Sequence, residues 1–102
     1  MNQMQQMMRQ AQKMQEQILK VQEETAGHRE EATAGGVVTV GANGKGEILD
    51  VRISPEALRP EDAEMLQDLV MVAANEALRK ARETVELAMK KVTGGAGFPG
   101  LF

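Results

Sequence analysis

Few residues in this sequence are of the types that perform covalent chemistry. The 102 residues include no Cys, Trp or Tyr, one histidine (His28) and one serine (Ser54). A nucleophilic triad would have to combine these two with an acid such as Asp50. Ser54, however, precedes Pro55 in the pattern of a helix N-cap, and His28 follows a glycine in a predicted loop or strand edge. We therefore predict that the protein is not an enzyme.

Two other segments resemble ligand-binding sites in sequence. Residues 41–46, with the sequence GANGKG, suggest a phosphate-binding loop, but no Ser or Thr follows the lysine and the segment leads into a predicted strand. Four carboxylates stand at the start of a predicted helix, where they complement the helix dipole: Glu61, Asp62, Glu64 and Asp68. The lack of cysteine excludes disulfides, zinc knuckles and iron–sulfur clusters. The sequence predicts no metal, no cofactor and no small-molecule substrate.

Basic residues are the remaining candidates for function, although acidic residues outnumber them. With 15 acidic and 12 basic side chains the net charge is −3, which excludes bulk basicity but not a local basic face. Aromatic residues make up 2%, so stacking on single strands is disfavoured, and a duplex phosphate backbone is the favoured anionic partner. The alternative is that the charges only solvate helices through i, i+4 pairs such as Arg79–Glu83.

The first 25 residues predict one long helix with the a/d seam of a coiled coil. The apolar residues of this seam are Met4, Met7, Ala11, Met14, Ile18 and Val21. With Met4 at position a, the basic residues Arg9, Lys13 and Lys20 occupy c and f positions and face water. The seam packs either on a second helix of this chain or on a partner, and its methionines also suit an adaptable binding groove.

A β-hairpin follows, because Asn43-Gly44 lies between two runs of β-branched residues and favours a type I′ turn. That turn places Val40 opposite Glu47 and Val38 opposite Leu49. It gathers on one buried face Val38, Val40, Leu49, Val51 and Ile53, and leaves on the other Thr39, Asp50 and Arg52. Because a two-stranded hairpin is marginal alone, residues 28–34 are expected to supply a third strand.

A second long helix is predicted from about residue 61 to residue 92, after a connector at residues 55–60. Its apolar stripe is rich in alanine, and its C-terminal half carries Arg79, Lys80 and Arg82. The glycines from residue 94 end it. The predicted architecture is α+β, with residues 1–93 as a single domain and residues 94–102 as a flexible Gly/Pro/Phe tail.

The lengths of the two helices predict oligomerisation. They span roughly 35 and 45 Å, while a compact globule of this size has a radius of gyration of about 13 Å. Both helices therefore project beyond the sheet and need a partner surface, for which a homodimer is the simplest arrangement. No apolar run approaches the roughly 20 residues of a membrane span, and the Gln-rich N-terminus lacks an apolar signal segment, which predicts an intracellular protein.

Taken in order, these segments resemble the YbaB/EbfC family of bacterial nucleoid-associated proteins. The resemblance covers essentially the whole chain and depends on the order and spacing of its parts rather than on any one of them. The parts are the Met/Gln-rich first helix, GGVVTV at residues 35–40, NGKGEI at 43–48, EMLQDLV at 64–70, AANEA at 73–77, and the Gly/Pro/Leu/Phe tail.

The resemblance implies a helix, a three-stranded antiparallel sheet and a second helix, dimerised into a tweezer-like body with protruding helices. It implies a cytoplasmic, nucleoid-associated protein that binds double-stranded DNA and affects DNA conformation and gene expression. It also assigns DNA contacts to the projecting helices, and the basic residues at matching positions here are Arg9, Lys13, Lys20, Arg79, Lys80 and Arg82. The alternative is a protein-interaction module whose Met-lined helices receive a partner helix.

Overall fold

One long helix packs on a three-stranded antiparallel sheet, and a second long helix packs against the first. The computed structural model describes residues 2–93, and its elements are α1 (Gln3–Ala26), β1 (Arg29–Ala34), β2 (Val38–Asn43), β3 (Ile48–Ile53), two 3₁₀ turns (Pro55–Ala57 and Pro60–Asp62) and α2 (Ala63–Thr93). This order confirms the predicted α+β class, both helices and the third strand. The predicted tail, residues 94–102, lies outside the described residues.

Each end of α1 is fixed by a polar side chain. At the start, Asn2 Oδ1 accepts a hydrogen bond from the Gln5 backbone N–H at 2.9 Å, which satisfies an amide that the first turn leaves unpaired. At the end, the Thr25 hydroxyl donates to the Val21 carbonyl oxygen at 2.8 Å, and Thr25 is buried. The helix therefore meets the sheet at its C-terminal end.

The sheet has the order β1-β2-β3, and its hairpin register differs from the predicted one. Val40 pairs with Val51 and Val38 with Ile53, so the predicted partners Glu47 and Leu49 were wrong. A register shift between Gly41 and Ala42 leaves Leu49 outside the paired ladder. The predicted polar face is retained, since Thr39 pairs with Arg52.

The physical reason for this difference lies in the turn. The Gly46 N–H donates to the Asn43 carbonyl oxygen at 3.0 Å, and the Asn43 N–H donates to the Glu47 carbonyl oxygen at 3.0 Å. Gly46, with φ of 79°, is the residue in the left-handed region, whereas neither Asn43 nor Gly44 has a positive φ. The connection is thus a three-residue loop closed by a glycine, and not the two-residue type I′ turn.

Gly44 serves a different purpose from the predicted one. A Cβ at this position would meet the backbone carbonyl oxygen of Thr25, and would lie 3.2 Å from Val85 Cγ2. The end of α1 and the side of α2 therefore press on the hairpin loop at a point that only a residue without a side chain can occupy.

The core lies between α2 and the inner strands. Ala73, Ala77 and Ala81 of α2 are at most 1% exposed, and they face the fully buried Val38 and Val40 of β2. The small alanine side chains bring the helix close to the sheet, so that two strands share one helix. The outer strand β3 is less covered, and its apolar residues Ile48, Leu49 and Val51 are 45 to 48% exposed.

The two helices pack antiparallel over only part of α1. Val21 lies beside Ala88 and Val92, and the seam residues Met14 and Ile18 are half-buried. Residues 3–13, which we call the arm, are all exposed. With the arm included, the chain measures 72 × 21 × 14 Å and has a radius of gyration of 19.5 Å, well above the roughly 13 Å of a compact globule.

Candidate nucleic-acid interface

The arm has a charge of one sign. Its 11 residues are five glutamines, three methionines, one alanine, Arg9 and Lys13, and the first acidic residue of the chain is Glu16. Both cations are exposed. Because field strength depends on nearby charges rather than on the net charge, this end of an acidic protein presents a local positive potential.

Lys20 lies in the packed half of α1, about 10 Å along the helix from the end of the arm. It lines an open groove between the two helices, and Lys91 of α2 lines the same groove. Glu24 also borders it, so the groove has an excess of one positive charge among these side chains. The sequence-based selection does not include Lys91, since only the antiparallel packing of the helices brings this lysine beside Lys20.

The three basic residues predicted on α2 lie near the sheet and not beside the arm. Arg79 binds Glu76 at 2.6 Å and Glu83 at 2.8 Å, and the hydrogen bond that it donates to Glu76 is the main reason that the pKa of Arg79 is raised. Lys80 Nζ donates to the Glu31 backbone carbonyl oxygen at 3.0 Å. Arg82 is exposed and borders a hollow beside the hairpin loop.

The six predicted cations therefore form two groups. Arg9 lies about 24 Å along α1 from Thr25, whose carbonyl contacts the hairpin loop, and Arg82 lies near that loop. Arg9 and Lys13 of the arm are exposed, whereas the charge of Arg79 is balanced by two carboxylates. Because the arm itself contains no acidic residue, it is the better candidate of the two groups for contacts with phosphates.

The outer face of the sheet is polar but balanced in charge. Arg29 crosses β2 and binds Asp50 at 2.8 Å, while its Nε donates to Glu31 at 3.0 Å. Arg52 binds Glu31 at 2.7 Å. Gly41 makes this crossing possible, because a Cβ there would overlap the Arg29 guanidinium. The bonds from Arg29 lower the pKa of both carboxyls, so two positive and two negative charges cancel on this face.

Two of the three residues considered for a triad, His28 and Asp50, have other partners. His28 Nε2 contacts Glu30 Oε1 at 2.8 Å, and the Thr84 hydroxyl donates to the same oxygen at 2.9 Å. Asp50 is bound by Arg29. Ser54 occupies the N-cap of the first 3₁₀ turn, where its side chain makes no capping bond. Over residues 2–93, no three His, Asp or Glu side chains are grouped closely enough to hold a metal ion.

The fold belongs to a class known from a solved structure. The chain is similar to the crystal structure of an uncharacterized protein from Helicobacter pylori, with a TM-score of 0.63 and 27% sequence identity. The similarity covers 76% of this chain and 90% of that one. Among residues 2–93, neither helix combines the length and the apolar character that crossing a membrane requires.

The family of this chain is described as one of DNA-binding proteins. The chain belongs to the YbaB/EbfC DNA-binding family, whose model matches residues 1–96. It is 53% identical over 73 residues to a nucleoid-associated protein of Alkaliphilus metalliredigens. The match covers 72% of this chain and 64% of the relative, so the chain spans just under two thirds of the length of that relative. It is 58% identical to a nucleoid-associated protein of Halalkalibacterium halodurans, over 71% of each chain.

Proposed function

We propose that this protein binds double-stranded DNA as a homodimer at the nucleoid and alters DNA conformation, with a role in nucleoid organisation and gene regulation. The observation that carries the proposal is the arm, an exposed helical segment with two cations and no carboxylate in a chain of a DNA-binding family. Arg9, Lys13 and Lys20 are the proposed phosphate contacts of α1. Lys80 and Arg82 are proposed as weaker contacts near the sheet, and Arg79 as the weakest.

Binding of this kind is driven by counterion release. Each phosphate that a lysine or arginine neutralises frees condensed cations from the duplex, so affinity depends steeply on salt. The three α1 contacts from each of two subunits neutralise six phosphates, which give a slope of log affinity against log salt of about −5 before the weaker contacts near the sheet are added. Phosphate contacts carry no sequence information by themselves, so this part of the binding tolerates many sequences.

The homodimer is supported by apolar surface that one chain leaves exposed. On β3 the residues Ile48 and Val51 are about half-exposed, and on the first half of α2 the residues Met65 and Val72 are 48 and 54% exposed. β3 is the strand that α2 contacts least, so its apolar side chains have the least cover within one chain. A second copy that buried them would supply the core missing from one side of β3, and it would hold the two arms apart on an elongated body.

Two arms on one rigid body give the mechanism of the conformational change. Each arm contacts phosphates at a separate place, and the distance between the arms is set by the dimer and not by the DNA. A duplex that meets both arms must therefore bend toward them, or two duplexes must be bridged, with phosphate neutralisation supplying the free energy of deformation.

Two measurements on the free protein and a duplex test the proposal. We expect light scattering to give the mass of a dimer, and fluorescence anisotropy with a labelled duplex to give a slope near −5 across a salt series. A monomer of stable mass would remove the homodimer. Affinity that does not change with salt would remove the phosphate contacts.

A protein-interaction module is the second candidate, because the arm exposes methionines in addition to cations. Met4, Met7 and Met8 are 60 to 70% exposed, and such flexible apolar side chains suit a partner helix. Recovery of a stoichiometric protein partner, with no duplex binding at physiological salt, would favour this candidate over DNA binding.

A further inference from the structure

The arm continues a polar stripe that consists of two residue types. Along one flank of α1 the side chains at spacings of three and four residues are all exposed, and none is acidic. These residues, which we call the Gln–Lys stripe, are Gln3, Gln6, Gln10, Lys13, Gln17 and Lys20. Such a stripe places amides along one line of the helix with cations at its inner end.

Glutamine has the chemistry that adenine requires in the major groove. Its amide oxygen accepts from the adenine N6 amino group, while its amide nitrogen donates to N7. An α-helix is about 10–12 Å wide, and the major groove is about 12 Å wide, so a helix enters it only where no neighbouring element blocks its flanks. Residues 3–13 are exposed throughout and meet this condition, which brings Gln6 and Gln10 within the part of the stripe that can enter.

We propose, on the basis of the proposed duplex binding, that Gln6 and Gln10 read adenines in the major groove and give the protein a preference for A·T base pairs. The two residues are separated by about 6 Å along the helix axis, close to two base-pair steps of about 3.4 Å. Lys13 and Lys20, further along the same stripe, anchor the helix on phosphates and set its register. Lys13 marks the end of the arm that enters the groove.

Adenine N7 is the atom on which the test depends. A duplex in which 7-deazaadenine replaces adenine keeps base pairing and the minor groove but loses this acceptor. We expect the wild-type protein to bind it at least about fivefold more weakly than the unmodified A·T-rich duplex, the lower end of the discrimination that a bidentate contact provides. Equal binding of the two duplexes would overturn the proposal.

A double substitution assigns the effect to the stripe. Gln6→Ala with Gln10→Ala keeps helix propensity high, so we expect the arm to stay helical and the salt slope to stay that of wild type, while both duplexes bind equally. The matched control is Gln5→Ala with Gln12→Ala, on the opposite flank of α1, which should keep the wild-type preference. A double variant at positions 6 and 10 that retains the preference would also overturn the proposal.

Failure of the readout differs visibly from failure of DNA binding. If the readout alone is wrong, the wild-type protein binds both duplexes with the same affinity and the same steep salt slope. If the proposed function itself is wrong, neither duplex is bound at any salt concentration, and the readout fails with it.

Discussion

Replacing Arg9 and Lys13 by glutamine removes the positive charge of the arm without changing its shape. Both side chains are exposed, and glutamine is a good helix former that already fills five of the 11 arm positions. The dimer then keeps two of its six proposed α1 contacts, because Lys20 remains in each subunit. At about 0.9 for each contact, the salt slope should fall from about −5.4 to about −1.8.

The number of lost phosphate contacts also sets the loss of affinity. At about 0.1 M salt each lost contact removes a factor of about 10^0.9 relative to the extrapolation at 1 M, so four lost contacts weaken binding about 10³- to 10⁴-fold. Near 1 M the two affinities should converge, since the difference is one of counterion release. Fluorescence anisotropy of a short labelled duplex, measured across a salt series, gives both quantities.

Lys45→Gln is the matched control for this experiment. Lys45 is an exposed lysine in the hairpin loop, far from the arm, and its loss changes the net charge of each subunit by one. We expect its salt slope to equal that of wild type. The arm would not be the DNA contact if the slope of the Arg9 and Lys13 variant stayed near −5, or if Lys45→Gln lowered the slope as much for each residue changed.

Three further predictions concern the body of the protein. Gly44→Ala should lower the free energy of unfolding, measured by urea denaturation, by about 1–3 kcal/mol. Gly27→Ala should be neutral or slightly stabilising, because an added Cβ there meets no atom within 4 Å. Equal effects of the two substitutions would contradict the packing at the loop. Ala77→Leu should cost about 1–3 kcal/mol because Ala77 is fully buried, and a thermal melt unchanged from wild type would contradict that burial. Thr84→Val removes one of the hydrogen bonds that lower the pKa of Glu30. Because the ionised Glu30 stabilises the fold above the ordinary pKa of 4.5 and loses this contribution as pH falls, the variant should be destabilised more at neutral pH than at strongly acid pH. Equal losses of stability at both pH values would contradict this role of Glu30.

The elements could be predicted because each has a local cause. The seam from Met4 to Val21 has helical spacing, and α1 occupies Gln3–Ala26, close to the predicted residues 1–25. The third strand has no strong pattern of its own, but a hairpin needs a neighbour to be stable, and residues 28–34 were the free segment beside it. Helical periodicity and the marginal stability of an isolated hairpin therefore determine the order of the elements.

The register of the hairpin could not be predicted from the turn sequence. The pair Asn43-Gly44 is compatible with a two-residue turn, and nothing in its neighbourhood reveals that Thr25 of α1 contacts the loop. That contact joins segments far apart in the chain. Gly44 is needed for close approach, and Gly46 supplies the left-handed conformation instead.

In the candidate interface, too, only the features that depend on local sequence could be predicted. The helical phase of the seam is sufficient to predict that Arg9 and Lys13 face water, because phase is a local property. The surroundings of Lys80 depend on β1, since its acceptor is a backbone carbonyl 49 residues earlier in the chain. Lys91 comes beside Lys20 only when the helices pair, so a list made from sequence omits it.

The arm has a thermodynamic consequence that its charges alone do not suggest. The arm is an exposed helical end of 11 residues, shorter than the roughly 12–15 residues at which isolated helices become stable in water. We therefore expect its coil and helix forms to interconvert, although the packed half of α1 supplies the nucleus. Completing the helix on binding then costs free energy, which lowers the affinity for DNA. We expect mild helix-promoting solvents, or alanine at positions not in contact with the duplex, to tighten binding, with faster amide exchange in the arm of the free protein than in α2.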